Sequence, residues 1–347
     1  MTVIPMGRAV TVPGADRLEV RDFPEIPPGP GDAVVDVAYG GVCGSDVHYW
    51  RRGEVGESVL VDPMVLGHEI VGTVALAAAD GSGPPAGTPV AVHPAQTCGE
   101  CARCRERRDN LCPHLRYLGS AARRPHTHGG FAERLLVPGH RLVAVPPGLD
   151  LRTAALAEPA SVAAHALARA DALAGGVAGR QVLVTGAGPI GLLVVALAHL
   201  GGAAAVTVTD LFPHPLRTAR RVGATRTVVV GEELPEVDIA FESSGAPSAM
   251  AAALAALKPG GLLVQVGQLP SHGVSGPWHL TVPRELTVTG SSRFAGGMAA
   301  TLTTIAAHRD LFEPIVSAEF PLDAAETALA DASAPENSSK VLLRFAP

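Results

Sequence analysis

The sequence predicts an α/β fold in two parts: a β-rich unit with irregular loops and a doubly wound parallel sheet. Three observations carry this. The first 150 residues alternate β-branched with polar positions between Pro-Gly turns; from about residue 154 apolar strands alternate with helices; and a glycine-rich turn sits between one such strand and helix. At roughly 150 residues per domain, 347 residues favour two domains over one. Hydrophobic residues make up 47% and charged residues 17%, which supplies real cores and excludes a disordered chain. The 39 Gly and 30 Pro follow no period, so collagen-like and low-complexity readings fail as well.

In chain order, alternation over 33–37 and 71–74, punctuated by Pro28-Gly29-Pro30-Gly31, marks strands of the β-rich unit. An alanine-rich helix is expected over 154–174, then a strand at 181–185, a helix at 189–199 and a strand at 205–209. Further strands are expected at 227–230, 237–241, 262–266 and 286–289, with a helix over 247–257 among them. Such alternation calls for a parallel sheet covered on both faces. The tail holds one more helix and a closing strand at 340–345, so the expected units are 1–153, 154–290 and a return over 291–347.

Net charge is −6 with no basic block, so no nucleic-acid partner is expected. Residues 181–209 carry no Asp, Glu, Lys or Arg, yet glycines and Pro189 break the run; two short strands around a helix explain it better than a membrane span. The first 25 residues contain no leader-like apolar run, and a cytoplasmic location is expected.

Gly186, Gly188 and Gly191, with Pro189 and Ile190 between the last two, match G-x-G-x-x-G in a Rossmann-like strand–turn–helix context. These glycines suit a tight turn, close approach to a pyrophosphate and helix–strand packing, with the helix N-terminus offering free N–H groups. Asp210 follows the next strand, where a carboxylate binds both ribose hydroxyls and repels a 2′-phosphate; as a simple helix cap it has a blander reading. NAD is therefore expected, and NADP stays possible. Ser244, Val266, Gly267 and Ser292 are expected toward the nicotinamide end.

Cys98, Cys101, Cys104 and Cys112 form C-x2-C-x2-C-x7-C, a set that fills a tetrahedral zinc shell and leaves no open position. The fifth cysteine, Cys43, stands in Gly-Val-Cys-Gly-Ser-Asp, with Gly67-His68-Glu69 and Glu158-Pro159 further on. Cys, His and carboxylate together bind zinc with a position to spare, although each alone is as readily structural.

These motifs occur in the order found in zinc-dependent medium-chain dehydrogenases, and the resemblance spans essentially the whole chain. Cys43 to Trp50, Pro63 to Glu69 and Glu158-Pro159 resemble the polyol branch, typified by sorbitol dehydrogenase. Gly119-Ser120-Ala121, Pro125-His126, Gly129-Gly130-Phe131, Phe241-Glu242, Ser244-Gly245 and Gly290-Ser291 with Arg293-Phe294 are similar to the L-idonate 5-dehydrogenases within it. The resemblance implies a GroES-like catalytic domain beside the Rossmann domain, and two zinc ions per subunit, one catalytic and one structural. It implies Cys43, His68 and Glu69 around the catalytic zinc, with Glu158 a ligand or beside its water, and Ser45 and His48 as a proton relay. Tyr49, Phe131, Glu158 and Arg293 are then expected to line the substrate pocket.

The implied reaction is hydride transfer to NAD from a secondary alcohol of a sugar acid (L-idonate to 5-keto-D-gluconate) or a polyol such as sorbitol or xylitol. An L-threonine dehydrogenase or an NAD-binding zinc protein without catalysis are the alternatives. A homodimer or homotetramer is expected. Two positions depart from the polyol pattern: Pro215 replaces a basic residue after Asp210, which is why NADP stays open, and Ser58 replaces an aromatic one.

Overall fold

The computed structural model describes residues 3–271 and 273–345. Two sheets organise it. The first is ten-stranded, and its central strand Asp32–Gly41 lies between Glu69–Leu76 and Ala132–Pro138. Its register matters for function, because Gly41 pairs with Glu69 on one side and with Leu342 on the other. The chain leaving Gly41 therefore enters helix Gly44–Arg52 beside the turn that carries His68.

The second sheet has six parallel strands in the order Arg226–Val229, Ala205–Asp210, Gln181–Thr185, Val237–Glu242, Leu257–Gln265, Thr287–Gly290. The first strand in sequence thus lies mid-sheet, and strand order reverses on either side of it. That switch point is where open α/β sheets bind ligands. The uncharged run resolves as expected into Gln181–Thr185, helix Pro189–Leu200 and Ala205–Asp210. Among the described residues no helix is long and apolar enough to cross a membrane.

Some local expectations differ from what folds. The alanine-rich stretch divides into helices Leu151–Ala154 and Ala157–Ala174, the first capped by Asp150, which accepts from the Thr153 amide at 2.9 Å. Strand Leu257–Gln265 begins early because Leu257 already pairs with Val237, but Gly260 turns at φ +76° and the register shifts before Leu262 pairs with Ile239, so continuous pairing starts at the expected Leu262. Helix Pro213–Arg221 has no counterpart in the sequence reading, since Pro213 and Pro215 look like breakers; both sit in the first turn, where a missing N–H costs nothing. The tail rejoins the first sheet only at Val316–Pro321 and Lys340–Arg344. Before that, Phe294, Met298, Leu302, Ile305 and Phe312 join the cluster that holds Leu192 and Val194 of the Rossmann helix.

Candidate active site

Cys43 caps helix Gly44–Arg52 at its N-terminus. Asp46, fully buried, holds this turn: one carboxylate oxygen accepts from the Cys43 amide at 3.0 Å and the other from the Gly67 amide at 3.1 Å. The second oxygen also lies 4.0 Å from His68 Nδ1. A side chain within the helix's first turn thus clamps two distant loops together. Gly67 makes its turn at φ +96°, and a Cβ there would run 2.2 Å from the Phe131 ring. The result is that ligating atoms of Cys43, His68 and Glu69 all lie within 4.8 Å of one another, a spacing that fits one metal ion.

Glu69 has a partner the sequence reading missed. Lys340, only 2% exposed, places Nζ 2.6 Å from both Glu69 carboxylate oxygens and donates to the Val42 carbonyl at 3.0 Å. Burial alone would lower the lysine's pKa, but the charges of Glu69 and Cys43 outweigh it and hold it raised. Glu158, in the first turn of helix Ala157–Ala174, faces the same space but stands outside that three-residue cluster. It accepts a 2.5 Å hydrogen bond from Tyr117, and burial raises its pKa. Burial and the Glu158 charge in turn hold the Tyr117 hydroxyl well above its ordinary range, so it stays a donor. The Arg293 guanidinium carbon sits 5.0 Å from the centroid of the Tyr117 ring. Neither Asp46, Tyr117 nor Lys340 was given a role from sequence; only Asp46, three residues after Cys43 at a helix start, carried a readable signal.

A cleft of about 790 Å³ runs between the two sheets' domains. Cys43, Ser45, Tyr49, His68 and Glu158 line one side, and Ile190, Val266 and Gly267 the other. Tyr49 is almost wholly buried at its floor, its hydroxyl accepting from the Ala121 amide at 3.0 Å. Phe131 corrects an expectation: it is 0% exposed, packed under Gly40 and Gly67, and its ring supports the His68 turn instead of lining the pocket. His48 lies on the exposed side of its helix, away from the cleft lining, and among the described residues no hydrogen bond joins it to Ser45. Partial burial and Arg52 lower its pKa.

On the dinucleotide side, Gly188 caps helix Pro189–Leu200, and a Cβ there would meet nothing within 4 Å, so the helix N-terminus opens onto free space. Gly191 allows a close approach, because its Cβ would stand 1.9 Å from the Gly186 carbonyl oxygen. Asp210 ends its strand and accepts from the Ala187 amide at 2.7 Å and the Phe212 amide at 3.0 Å, which ties it to the glycine turn. At the other end, fully buried Glu242 accepts from the amides of Ser244 at 2.7 Å and Gly245 at 3.0 Å and so shapes the loop opposite Gly267. Two buried polar atoms on the cleft wall, Gln265 Oε1 and Ser291 Oγ, have no hydrogen-bond partner among the described residues. An open helix end and orphaned polar atoms suit a pyrophosphate and a carboxamide respectively.

The four-cysteine lobe passes a similar test. Its Sγ–Sγ separations are 3.5 Å for Cys101–Cys104 and Cys98–Cys112, and 3.9 Å for Cys98–Cys104 and Cys101–Cys112. Zn–S bonds of about 2.3 Å in a tetrahedron require about 3.8 Å. Amides of Glu100 and Cys101 pull the Cys98 thiol down to about 6. Burial and neighbouring sulfurs push Cys104 up to about 12, since sulfurs this close do not all ionise without a cation. The lobe reaches the cleft through Asn110, whose amide donates to the Ser292 carbonyl at 2.8 Å.

Comparison with known proteins agrees with this geometry. Residues 29–147 match the alcohol dehydrogenase GroES-like domain and 189–307 the zinc-binding dehydrogenase domain. The chain is 34% identical over 322 residues to the L-idonate 5-dehydrogenase (NAD(P)(+)) of Escherichia coli K12, covering 90% of this chain and 91% of that one. It is 33% identical over 350 residues to the sorbitol dehydrogenase of Gallus gallus, covering 95% and 94%. The crystal structure of the Escherichia coli L-idonate 5-dehydrogenase superposes with a TM-score of 0.89 at 31% identity, over 99% of this chain and 100% of that one. A GroES-like β domain joined to a Rossmann sheet, with a Cys-His-Glu cluster facing the glycine-rich turn, makes this chain a member of the zinc-dependent medium-chain dehydrogenases, in their polyol branch.

Proposed function

We propose that the protein oxidises a secondary alcohol of a sugar acid or polyol, reversibly, with NAD as hydride acceptor. The observation that carries this is the cleft itself, where the Cys43, His68 and Glu69 cluster faces Ile190, Val266 and Gly267 across a space of about 790 Å³. Cys43, His68 and Glu69 would hold the catalytic zinc, and Cys98, Cys101, Cys104 and Cys112 the structural one. When bound, zinc supplies the Lewis acidity that lets an alcohol lose its proton near neutral pH, and the nicotinamide supplies the hydride acceptor.

The chain's own residues do the rest. Asp46 holds the Cys43 and His68 turns at a fixed separation. Glu158, oriented by Tyr117, accepts a hydrogen bond from a substrate hydroxyl or a water beside the metal. Ser45, in the cleft, takes the hydroxyl proton and gives up its own in the same step. Solvent-facing His48, three residues on in the same helix, is the exit, reached through water because no direct hydrogen bond joins the two among the described residues. The domain walls hold the two reacting carbons together and exclude water from the path between them. Asp210 binds the adenosine ribose and disfavours a 2′-phosphate.

The deciding assay is NADH appearance with L-idonate, sorbitol, xylitol, L-threonine and simple alcohols, each with NAD and with NADP, repeated in Cys43→Ser. Turnover of L-idonate or a polyol that Cys43→Ser abolishes supports the reading. Binding of NAD and zinc without turnover of any alcohol overturns it in favour of a binding protein. We further infer a homo-oligomer. Thr287–Gly290 is an edge strand with Val288 exposed, and Val282, five residues before the strand in the chain, is 82% exposed; a second copy would cover this edge. Light scattering that finds only monomer at working concentration defeats this.

A further inference from the structure

A second cavity of about 650 Å³ opens beside the catalytic cleft, with Glu57, Ser58, Ser292 and Arg293 as the common wall. The proposed hydride transfer makes no use of it. Its outer side carries Arg123 and Arg124, and Glu57 is the one acidic residue among its lining residues. Three arginines against one carboxylate leave this space positive in a chain whose net charge is −6. The charges of Arg123 and Arg293 are held in place without being cancelled. Arg123 donates from Nε to the Leu115 carbonyl at 3.3 Å and from Nη2 to the Pro113 carbonyl, both neutral partners. Arg293 rests on the Tyr117 ring, also uncharged.

Among the described residues, none of Arg123, Arg124 and Arg293 has a carboxylate at ion-pair distance. Elsewhere Arg8, Arg134 and Arg152 sit against Glu133, Glu25 and Glu319. Guanidinium groups held unpaired around a concave space are what recognises a carboxylate or phosphate, by charge-assisted and often bidentate hydrogen bonds. The shared wall is braced from behind, because Asn110 of the four-cysteine lobe donates to the Ser292 carbonyl at 2.8 Å.

We propose that this cavity is an anion subsite. It takes a carboxylate or phosphate monoester at the far end of a polyhydroxylated substrate whose secondary alcohol lies in the catalytic cleft, and Arg293 bridges the two spaces. The substrate class is therefore an acidic sugar derivative in preference to a neutral polyol. This rests on the cleft being an alcohol-oxidising site.

The test uses the zinc-loaded full chain and matched substrates: L-idonate against L-iditol for the carboxylate, galactitol 1-phosphate against galactitol for the phosphate. Wild type should favour the charged member of at least one pair, and the responding pair identifies the anion. Arg124→Gln and Arg123→Gln should each lower kcat/KM for that charged substrate by about tenfold through KM, the loss expected for one charge-assisted hydrogen bond. The neutral member should shift by less than about twofold, the usual range for a surface substitution. Both arginines are exposed, and Arg124, which braces no carbonyl as Arg123 does, supplies the variant that leaves the fold untouched. Equal turnover of charged and neutral members by wild type, or equal losses for both in the variants, overturns the proposal. If wild type oxidises nothing, the cleft reading fails, and calorimetry with inorganic phosphate decides the subsite separately. Phosphate binding lost in the Arg123→Gln/Arg124→Gln double variant upholds it; no binding to wild type ends it.

Discussion

Replacing Lys340 with methionine should destabilise the protein in a way that depends on zinc. The side chain is 2% exposed and its ammonium lies 2.6 Å from both oxygens of Glu69, itself 1% exposed. At an effective dielectric of 20, two unit charges at that separation attract by about 6 kcal/mol. Desolvating both ions offsets part of that, but removing one partner leaves the other buried and uncompensated, which costs about 3–5 kcal/mol. Methionine nearly matches the volume, so little cavity cost enters. In protein stripped of metal the full loss should appear in urea unfolding. With zinc bound beside Glu69, a second countercharge is present and the loss should shrink by roughly half or more. Comparing Lys340→Met with wild type, each with and without zinc, measures both quantities. The Lys340→Met/Glu69→Gln double variant should lose less than the two single variants together, because neither charge is then stranded. An equal loss with and without zinc, or one below about 1 kcal/mol in the metal-free protein, would refute the reasoning.

Further outcomes follow from other sites. Cys98→Ser should lower zinc content by one ion per chain in elemental analysis while leaving the ligands Cys43, His68 and Glu69 in place, and should cost stability as a structural metal site is lost. Asp210→Ala should move the NADP-to-NAD ratio of kcat/KM toward NADP by about tenfold or more, since it removes both the ribose partner and the charge that repels a 2′-phosphate; an unchanged ratio would remove Asp210 from adenosine recognition. Burial would raise Asp238, but the Gln181 amide at 2.7 Å and Lys258 at 3.0 Å outweigh it and hold its pKa lowered. Its contribution is therefore present above the unfolded carboxylate pKa of about 3.9 and is lost as pH falls below that through the folded value. Asp238→Asn should flatten this acid limb of the stability curve, and an unaltered limb below about pH 4 counts against the assignment.

Features whose residues are close along the chain could be read before folding. The four cysteines fall within fifteen residues, and one short loop brings their sulfurs to 3.5–3.9 Å. The strand, glycine turn and helix from Gln181 to Leu200 are likewise local, so periodicity and glycine spacing disclosed them. Helix Pro213–Arg221 escaped because two prolines mask a helix start, and the fate of Phe131 escaped because an aromatic residue after two glycines reads equally as pocket or core.

What the sequence by itself determined is the fold class, the dinucleotide turn and the kinds of ligand atoms on offer, because each is written in residue types at short spacings. Only the tertiary structure decided how those atoms are used. Register on Asp32–Gly41 sets Glu69 and Leu342 on either side of Gly41, and so delivers Lys340 to a carboxylate 271 positions away. Tyr117 finds Glu158, Asp46 finds the Gly67 turn, and Arg293 comes to the wall between two cavities in the same way. Buried charges must meet partners, and which partner lies within reach is a property of strand pairing and domain packing that no local pattern encodes.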